Sequence, residues 1–120
     1  MTKWLITGSR SQMTKSLVFN ALNKLVDPEK DIIIHGGAYG VDSYADDWCR
    51  SKNVKCKIVR PLRKDTGAYY LHRNVEMITM ADKVIGFWNG ASRGTKFTLD
   101  YAKARDKPVI LIKDEENING

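Results

Sequence analysis

Three short apolar runs in this chain each stop at small and polar residues suited to holding an anion. Trp4–Thr7 leads into Gly8, Ser9 and Arg10; Ile32–Ile34 leads into His35–Gly36–Gly37–Ala38–Tyr39–Gly40; Val84–Phe87 leads through Trp88 into Asn89–Gly90–Ala91–Ser92–Arg93–Gly94–Thr95–Lys96. Glycines let backbone N–H groups approach a ligand, and a helix starting there adds unpaired donors and a positive dipole end. The predicted chemistry is capture of a nucleotide phosphate. Neither glycine-rich stretch is a standard fingerprint. The first lacks the G-x-G-x-x-G spacing and the acid about twenty residues on, and the second has glycine, lysine and threonine in the wrong order for a P-loop. A dinucleotide-dependent oxidoreductase and an ATPase are therefore not expected.

The elements that position these loops follow from periodicity. Leu17, Val18, Ala21, Leu22, Leu25 and Val26 recur at helical spacing, predicting a helix from about Ser11 to Val26 that Asp27–Pro28 ends. A continuous apolar strand over 32–35 reads as buried on both faces. A second helix over about 40–52 buries Val41, Tyr44, Ala45, Trp48 and Cys49 and turns Asp42, Ser43, Asp46 and Asp47 outward. Strand 54–60 comes next, then a loop at Pro61–Gly67 and a third helix to about Met80. Strand Lys83–Phe87, a helix over about 94–106 and strand Val109–Ile112 complete the chain. Strict β-α alternation predicts an α/β fold: a Rossmann-like three-layer α/β/α sandwich around a five-stranded parallel sheet. In the order 3-2-1-4-5 the switch point falls between strands 1 and 4, and the Gly8 and Gly90–Lys96 loops meet at the carboxyl edge where such sheets bind ligands.

At 120 residues the chain has room for one domain, taken as 1–113 with an acidic tail at 114–120. No apolar run reaches the ~20 residues of a membrane span, and no basic-then-apolar leader pattern opens the chain; no membrane partner and a cytoplasmic location are expected. Cys49 and Cys56 read as buried thiols. His35 and His72 are far apart with no third ligand nearby in sequence, so no metal and no cofactor are predicted. The net charge of +6 includes a stretch, 50–64, with seven Lys and Arg and no acid. It is read either as a solvated edge strand protected by lysines or as a surface for a polyanion.

Taken together, His35–Gly36–Gly37–Ala38–Tyr39–Gly40–Val41–Asp42, then His72–Arg73–Asn74 with Met77, then Ala81–Asp82 through Phe87–Trp88, Gly90 and Ser92–Arg93–Gly94–Thr95, resemble the SLOG superfamily of Rossmann-like domains. That superfamily includes the cytokinin-activating LOG phosphoribohydrolases and the Smf/DNA-processing group. The match is nearest to its small stand-alone YspA/cpYpsA-related branch. The resemblance runs from Leu5 to Ile112 and implies a nucleotide site. Gly94–Thr95 takes the place of the phosphate-gripping turn, Gly36–Gly37 that of the other glycine loop, and Arg73 that of the catalytic arginine of LOG enzymes. Phe97 and Thr98 stand where those enzymes carry acids, and Asp100 lies further along.

The expected ligand set is Gly8, Ser9, Arg10, Gly36, Gly37, Ala38, Gly40, Asp42, Arg73, Asn74, Asn89, Gly90, Ser92, Arg93, Gly94 and Thr95. Arg73, Asp42 and Glu76 are the catalytic candidates. Asp42 reads equally as a first-turn helix acid and as a ribose-hydroxyl acceptor or base; Arg73 either pairs with Glu76 or Asp65 or clamps a ligand. Arg93 and Lys96, cations at a helix start, point to an anion there. Tyr39 and Trp88 either stack on a base or join the core. The expected function is binding of a nucleotide or nucleotide-derived signal by a sensor or sequestering protein; the resemblance extends this to phage–host nucleotide signalling. The alternatives are LOG-like N-glycosidic hydrolysis of nucleoside monophosphates and binding of single-stranded nucleic acid. Apolar residues along the third helix (Tyr69, Tyr70, Val75, Ile78, Met80) predict a homo-oligomer, a dimer with Arg73 near its interface.

Overall fold

The computed structural model of the chain describes residues 1–11, 13–61 and 67–113. The expected loop at 62–66 and the acidic tail at 114–120 lie outside the described residues. Nine elements alternate along the chain: β1 (Lys3–Gly8), α1 (Lys15–Leu25), β2 (Ile32–His35), α2 (Val41–Lys52), β3 (Lys55–Ile58), α3 (Gly67–Met80), β4 (Lys83–Phe87), α4 (Arg93–Ala104) and β5 (Val109–Ile112). The strands form one parallel sheet in the order β3-β2-β1-β4-β5. The predicted architecture and strand order are those observed.

The period-2 geometry of the strands sends their side chains alternately into two cores. Trp4, Ile6, Ile33, Ile85 and Phe87 pack with Leu17, Val18 and Leu22 of α1 and Val41, Ala45 and Trp48 of α2. Leu5, Ile34 and Val84 point the other way, onto Met77 and Ile78 of α3 and Leu99 and Ala102 of α4. Full burial contributes roughly 1.5–3 kcal/mol for each large apolar side chain. Burial on both faces is why β1, β2 and β4 read as unbroken apolar runs.

Local chemistry sets the helix starts. The expected start of α1 at Ser11 moves to Lys15 because Thr14 is its N-cap and accepts a hydrogen bond from the Leu17 N–H at 3.1 Å. Ser92 caps α4, so Arg93 becomes its first residue. β3 is an edge strand with Lys55 and Lys57 exposed, as the edge-strand reading of 50–64 expects, whereas Cys56, expected to be buried, is half-buried and Ile58 is 38% exposed, because no strand covers this edge. Of the expected third-helix stripe, Ile78 is buried and Tyr69, Tyr70, Val75 and Met80 are half-buried, while Leu71 beside them stays 42% exposed. Among the described residues no helix is long and apolar enough to cross a membrane.

Candidate functional site

The loops after β1 and β4 meet at the carboxyl edge, tied by two hydrogen bonds. The Ser9 N–H donates to the Phe87 carbonyl at 2.9 Å, and the Asn89 N–H donates to Ser9 Oγ at 3.1 Å. Ser9 is fully buried in this tie, so it builds the site from beneath. Around it opens a crevice of about 550 Å³ that gathers Gly8, Arg10, Ala38, Asp42, Arg73, Asn74, Asn89, Ser92, Gly94 and Thr95 from the predicted set. A second cavity of about 370 Å³ adjoins it, bordered by Gly36, Gly37, Tyr39 and Arg60 and sharing Arg10, Ala38, Tyr70 and Arg73 with the first. Gly40, Gly90, Arg93 and Glu76 line neither of these two cavities.

The two glycine-rich loops differ in what their donors do. After β2, Asp42 Oδ2 accepts from the Gly36 N–H at 3.0 Å and the Ala38 N–H at 3.2 Å, while His35 Nδ1 accepts from the Gly37 N–H at 3.0 Å. Asp42 is buried, not outward as its helical position suggested, because the loop folds back over the first turn of α2. Burial raises its pKa, against the lowering pull of these amides and of the Arg73 charge. The three consecutive amides expected to face a phosphate are thus already paired within the protein.

At the start of α4 the donors face open space. Asn89 Oδ1 accepts from the Ala91 and Ser92 N–H groups at 2.9 and 3.0 Å, folding the turn, and Ser92 Oγ accepts from Thr95 N–H at 3.4 Å. The N–H groups of Arg93 and Gly94 remain at the helix end, and a Cβ built on Gly94 would meet nothing within 4 Å. Donors, dipole and free space coincide there, as anion binding requires. Lys96 does not add to this end: its Nζ pairs with Asp100 Oδ2 at 2.6 Å on the exposed face of the helix. Trp88 is also structural, its Nε1–H donating to the Ser92 carbonyl at 2.9 Å.

Arg73 pairs with no acid of its own helix. Its guanidinium is buried against the β2 loop and donates to the Gly36 carbonyl at 2.6 Å and, more weakly, to the Val59 carbonyl at 3.4 Å; its Nε donates to Asn74 Oδ1. The approach is so close that Gly36 has no room for a side chain. Burial lowers the Arg73 pKa, and Asp42 and Tyr70 oppose the shift. The guanidiniums of Arg10 and Arg73 both lie over the Tyr70 ring, at 6.0 and 5.5 Å from its centroid. Tyr70, Arg60 and Thr98 are site residues that the loop motifs did not flag. Tyr70 stands one turn before Arg73 and Thr98 one turn after Gly94, so helical spacing from the motif residues would have found both.

On the opposite side of the β2 loop, the fold gives His35 the partners its sequence neighbourhood lacks. His35 Nε2 lies 3.0 Å from Asp46 Oδ1, and the Cys56 thiol donates to the same oxygen at 3.6 Å. Arg50 Nε holds Asp46 Oδ2 at 2.9 Å. Burial pushes the Asp46 carboxyl up, but its bonds to His35 and Arg50 outweigh this and leave it below the usual range. The Cys56 thiol is pushed up, first by the neighbouring Cys49 thiol and then by burial.

Comparison with known proteins agrees with this architecture. Residues 2–64 match the YspA, cpYpsA-related SLOG family. The Gene 61 protein of Mycobacterium phage D29 is 32% identical over 96% of this chain and 99% of its own length. Among solved structures, TM1055 superposes with a TM-score of 0.71 at 19% identity, over 91% of this chain and 72% of that one. DNA processing protein A from Streptococcus pneumoniae gives 0.70 at 14% identity, over 88% of this chain and 49% of that one. DNA processing protein A from Helicobacter pylori, described for its single-stranded DNA binding mode, gives 0.68 at 19% identity, over 92% and 65%. At these identities the structural matches speak to the fold alone, and this chain spans about half of the Streptococcus protein. The family match, over more than half of the sequence, makes the chain a member of the YspA, cpYpsA-related SLOG family.

Proposed function

We propose that the protein binds single-stranded nucleic acid, with one phosphate at the start of α4 and the adjoining backbone along the second cavity. The observation that carries this reading is that the two cavities adjoin and share Arg10, Ala38, Tyr70 and Arg73, with Arg60 beyond them. Among the described residues no carboxylate lies within ion-pair distance of Arg10, Arg60 or Arg73. Tyr39, 85% exposed, stands at the outer end. Arg10 and Arg60, interleaved with the Tyr70 and Tyr39 rings, suit a strand that alternates phosphates with stacking bases, while Arg73, held by the Gly36 carbonyl, adds its charge from beneath. The fold shared with a protein known for a single-stranded DNA binding mode supports the same choice.

A second reading, a free nucleotide held as a signal without cleavage, is favoured by the larger crevice alone, whose size suits a small ligand. Hydrolysis is not expected under either reading. Glu76 lies outside the crevice, Asp100 is paired with Lys96, and Asp42 is engaged by two amides. The test is fluorescence anisotropy with a labelled single-stranded oligonucleotide beside calorimetry with adenosine monophosphate. Strand binding predicts a tighter oligonucleotide complex that weakens steeply with salt. Equal affinities with a shallow salt dependence would favour the free nucleotide. Multiple-turnover base release abolished by Arg73→Ala would overturn both.

A further inference from the structure

His35, Asp46 and Cys56 come from β2, α2 and β3, and their nitrogen, oxygen and sulfur atoms all lie within 4.8 Å of one another. We propose that these three side chains form a binding site for a divalent zinc-like ion, separate from the crevice. A tetrahedral zinc ion, with bonds of 2.0–2.3 Å, sets its nitrogen and oxygen donors about 3.3 Å apart and its oxygen and sulfur donors about 3.6 Å apart. The corresponding separations here are 3.0 Å for His35 Nε2 to Asp46 Oδ1 and 3.6 Å for Cys56 Sγ to the same oxygen. The third pair, the His35 nitrogen and Cys56 Sγ, lies within 4.8 Å and has to come to about 3.6 Å around an ion. The Asp46 side chain is 18% exposed, which gives an entry path and leaves the fourth position to water. Arg50 holds the other carboxylate oxygen, the kind of outer partner that orients a metal ligand.

The charges and protons balance. Asp46 is already ionised, and the incoming ion displaces one proton, from the Cys56 thiol, into solvent. The divalent ion then meets one carboxylate and one thiolate, a neutral set in a half-buried place. His35 binds the ion as the neutral ring and must change tautomer to do so. Its Nδ1 accepts from the Gly37 N–H, so its proton now sits on Nε2, facing Asp46. Once Nε2 binds the ion, the proton moves to Nδ1 and opposes the Gly37 amide, which must turn away. Gly37 has φ +73° and borders the second cavity, so ion binding reshapes the wall of that cavity at a residue able to accommodate it.

Cobalt(II) added to the chelator-treated protein tests the site without any ligand for the crevice. One equivalent is expected to give intense tetrahedral d–d bands and a thiolate-to-cobalt charge-transfer band, with about one proton released per ion. Zinc should bleach both in stoichiometric amount. The charge-transfer band should persist in Cys49→Ser and His72→Ala and vanish in Cys56→Ser, with zinc affinity at least about tenfold weaker in Asp46→Asn. Nitrogen-15 spectra of the zinc-loaded ring should place the His35 proton on Nδ1. A wild-type protein with no charge-transfer band, or one whose band survives in a folded Cys56→Ser variant, would overturn the proposal and leave the three side chains as a buried hydrogen-bond cluster.

Discussion

The two glycine-rich loops look alike in sequence and do opposite work. After β2, each amide from Gly36 to Ala38 donates to a side chain of the protein itself, and the Gly36 carbonyl accepts from Arg73. Before α4, Asn89 and Ser92 fold the turn and leave the helix end facing the crevice. The surroundings of the glycines differ too: a buried guanidinium crowds Gly36, and open space lies beside Gly94. A loop that supplies its own carboxylate uses up its donors; one that lacks an acid leaves its helix end open.

The comparison breaks most severely at Asp42. Asp42→Ala leaves the buried Gly36 amide and the half-buried Ala38 amide without an acceptor and removes the negative charge nearest Arg73, and should cost roughly 3 kcal/mol of stability. Urea denaturation checks this; an unchanged midpoint at unchanged slope would show that the β2 loop does not depend on the carboxylate. Gly94→Asp attacks the other loop. It should weaken oligonucleotide binding by ~2–4 kcal/mol through repulsion of the phosphate while changing stability by less than about 0.5 kcal/mol, because the site is open and an acid suits a helix start. Anisotropy and denaturation on the same sample separate the two effects.

Arg60→Ala sharpens the distinction between the cavities. It should cost the oligonucleotide about 1 kcal/mol, lower the salt slope by about one, and leave adenosine monophosphate unaffected. The same loss for both ligands would place the mononucleotide in the second cavity. The smallest effect lies away from both loops, at Asp31, whose carboxylate accepts from the Thr2 N–H, Trp4 Nε1–H and Asp27 N–H. Burial pushes its pKa up, but these bonds outweigh it and hold it below 3.8. A depressed folded-state pKa gives stability that is present above the unfolded value and is lost as pH falls through the folded one. Denaturation between pH 6 and pH 3 should show wild type losing more stability below about pH 4 than Asp31→Asn, and parallel curves would remove Asp31 from the account.

The sequence by itself determined the sheet, its strand order and the side of it on which the loops meet. Those follow from local periodicity: unbroken runs such as Ile32–Ile34, helical spacing such as Leu17–Leu22, and the β-α alternation that leaves few topologies. It also singled out Gly94–Thr95 and Arg73 as residues of one crevice, through motif and resemblance. The partners of each group were decided only by the tertiary structure. Asp42 reads as an outward acid because helical periodicity knows nothing of a loop folding back onto the helix. Arg73 reads as a ligand clamp or a surface ion because the Gly36 carbonyl that holds it stands 37 positions away. His35, Asp46 and Cys56 carry no spacing signature, since they lie on three elements that become neighbours only when β2 pairs with β3 and α2 crosses over them. Periodicity is a property of one segment, whereas hydrogen-bond satisfaction is a property of the space between segments. The first is written along the chain, and the second exists only after the chain has closed on itself.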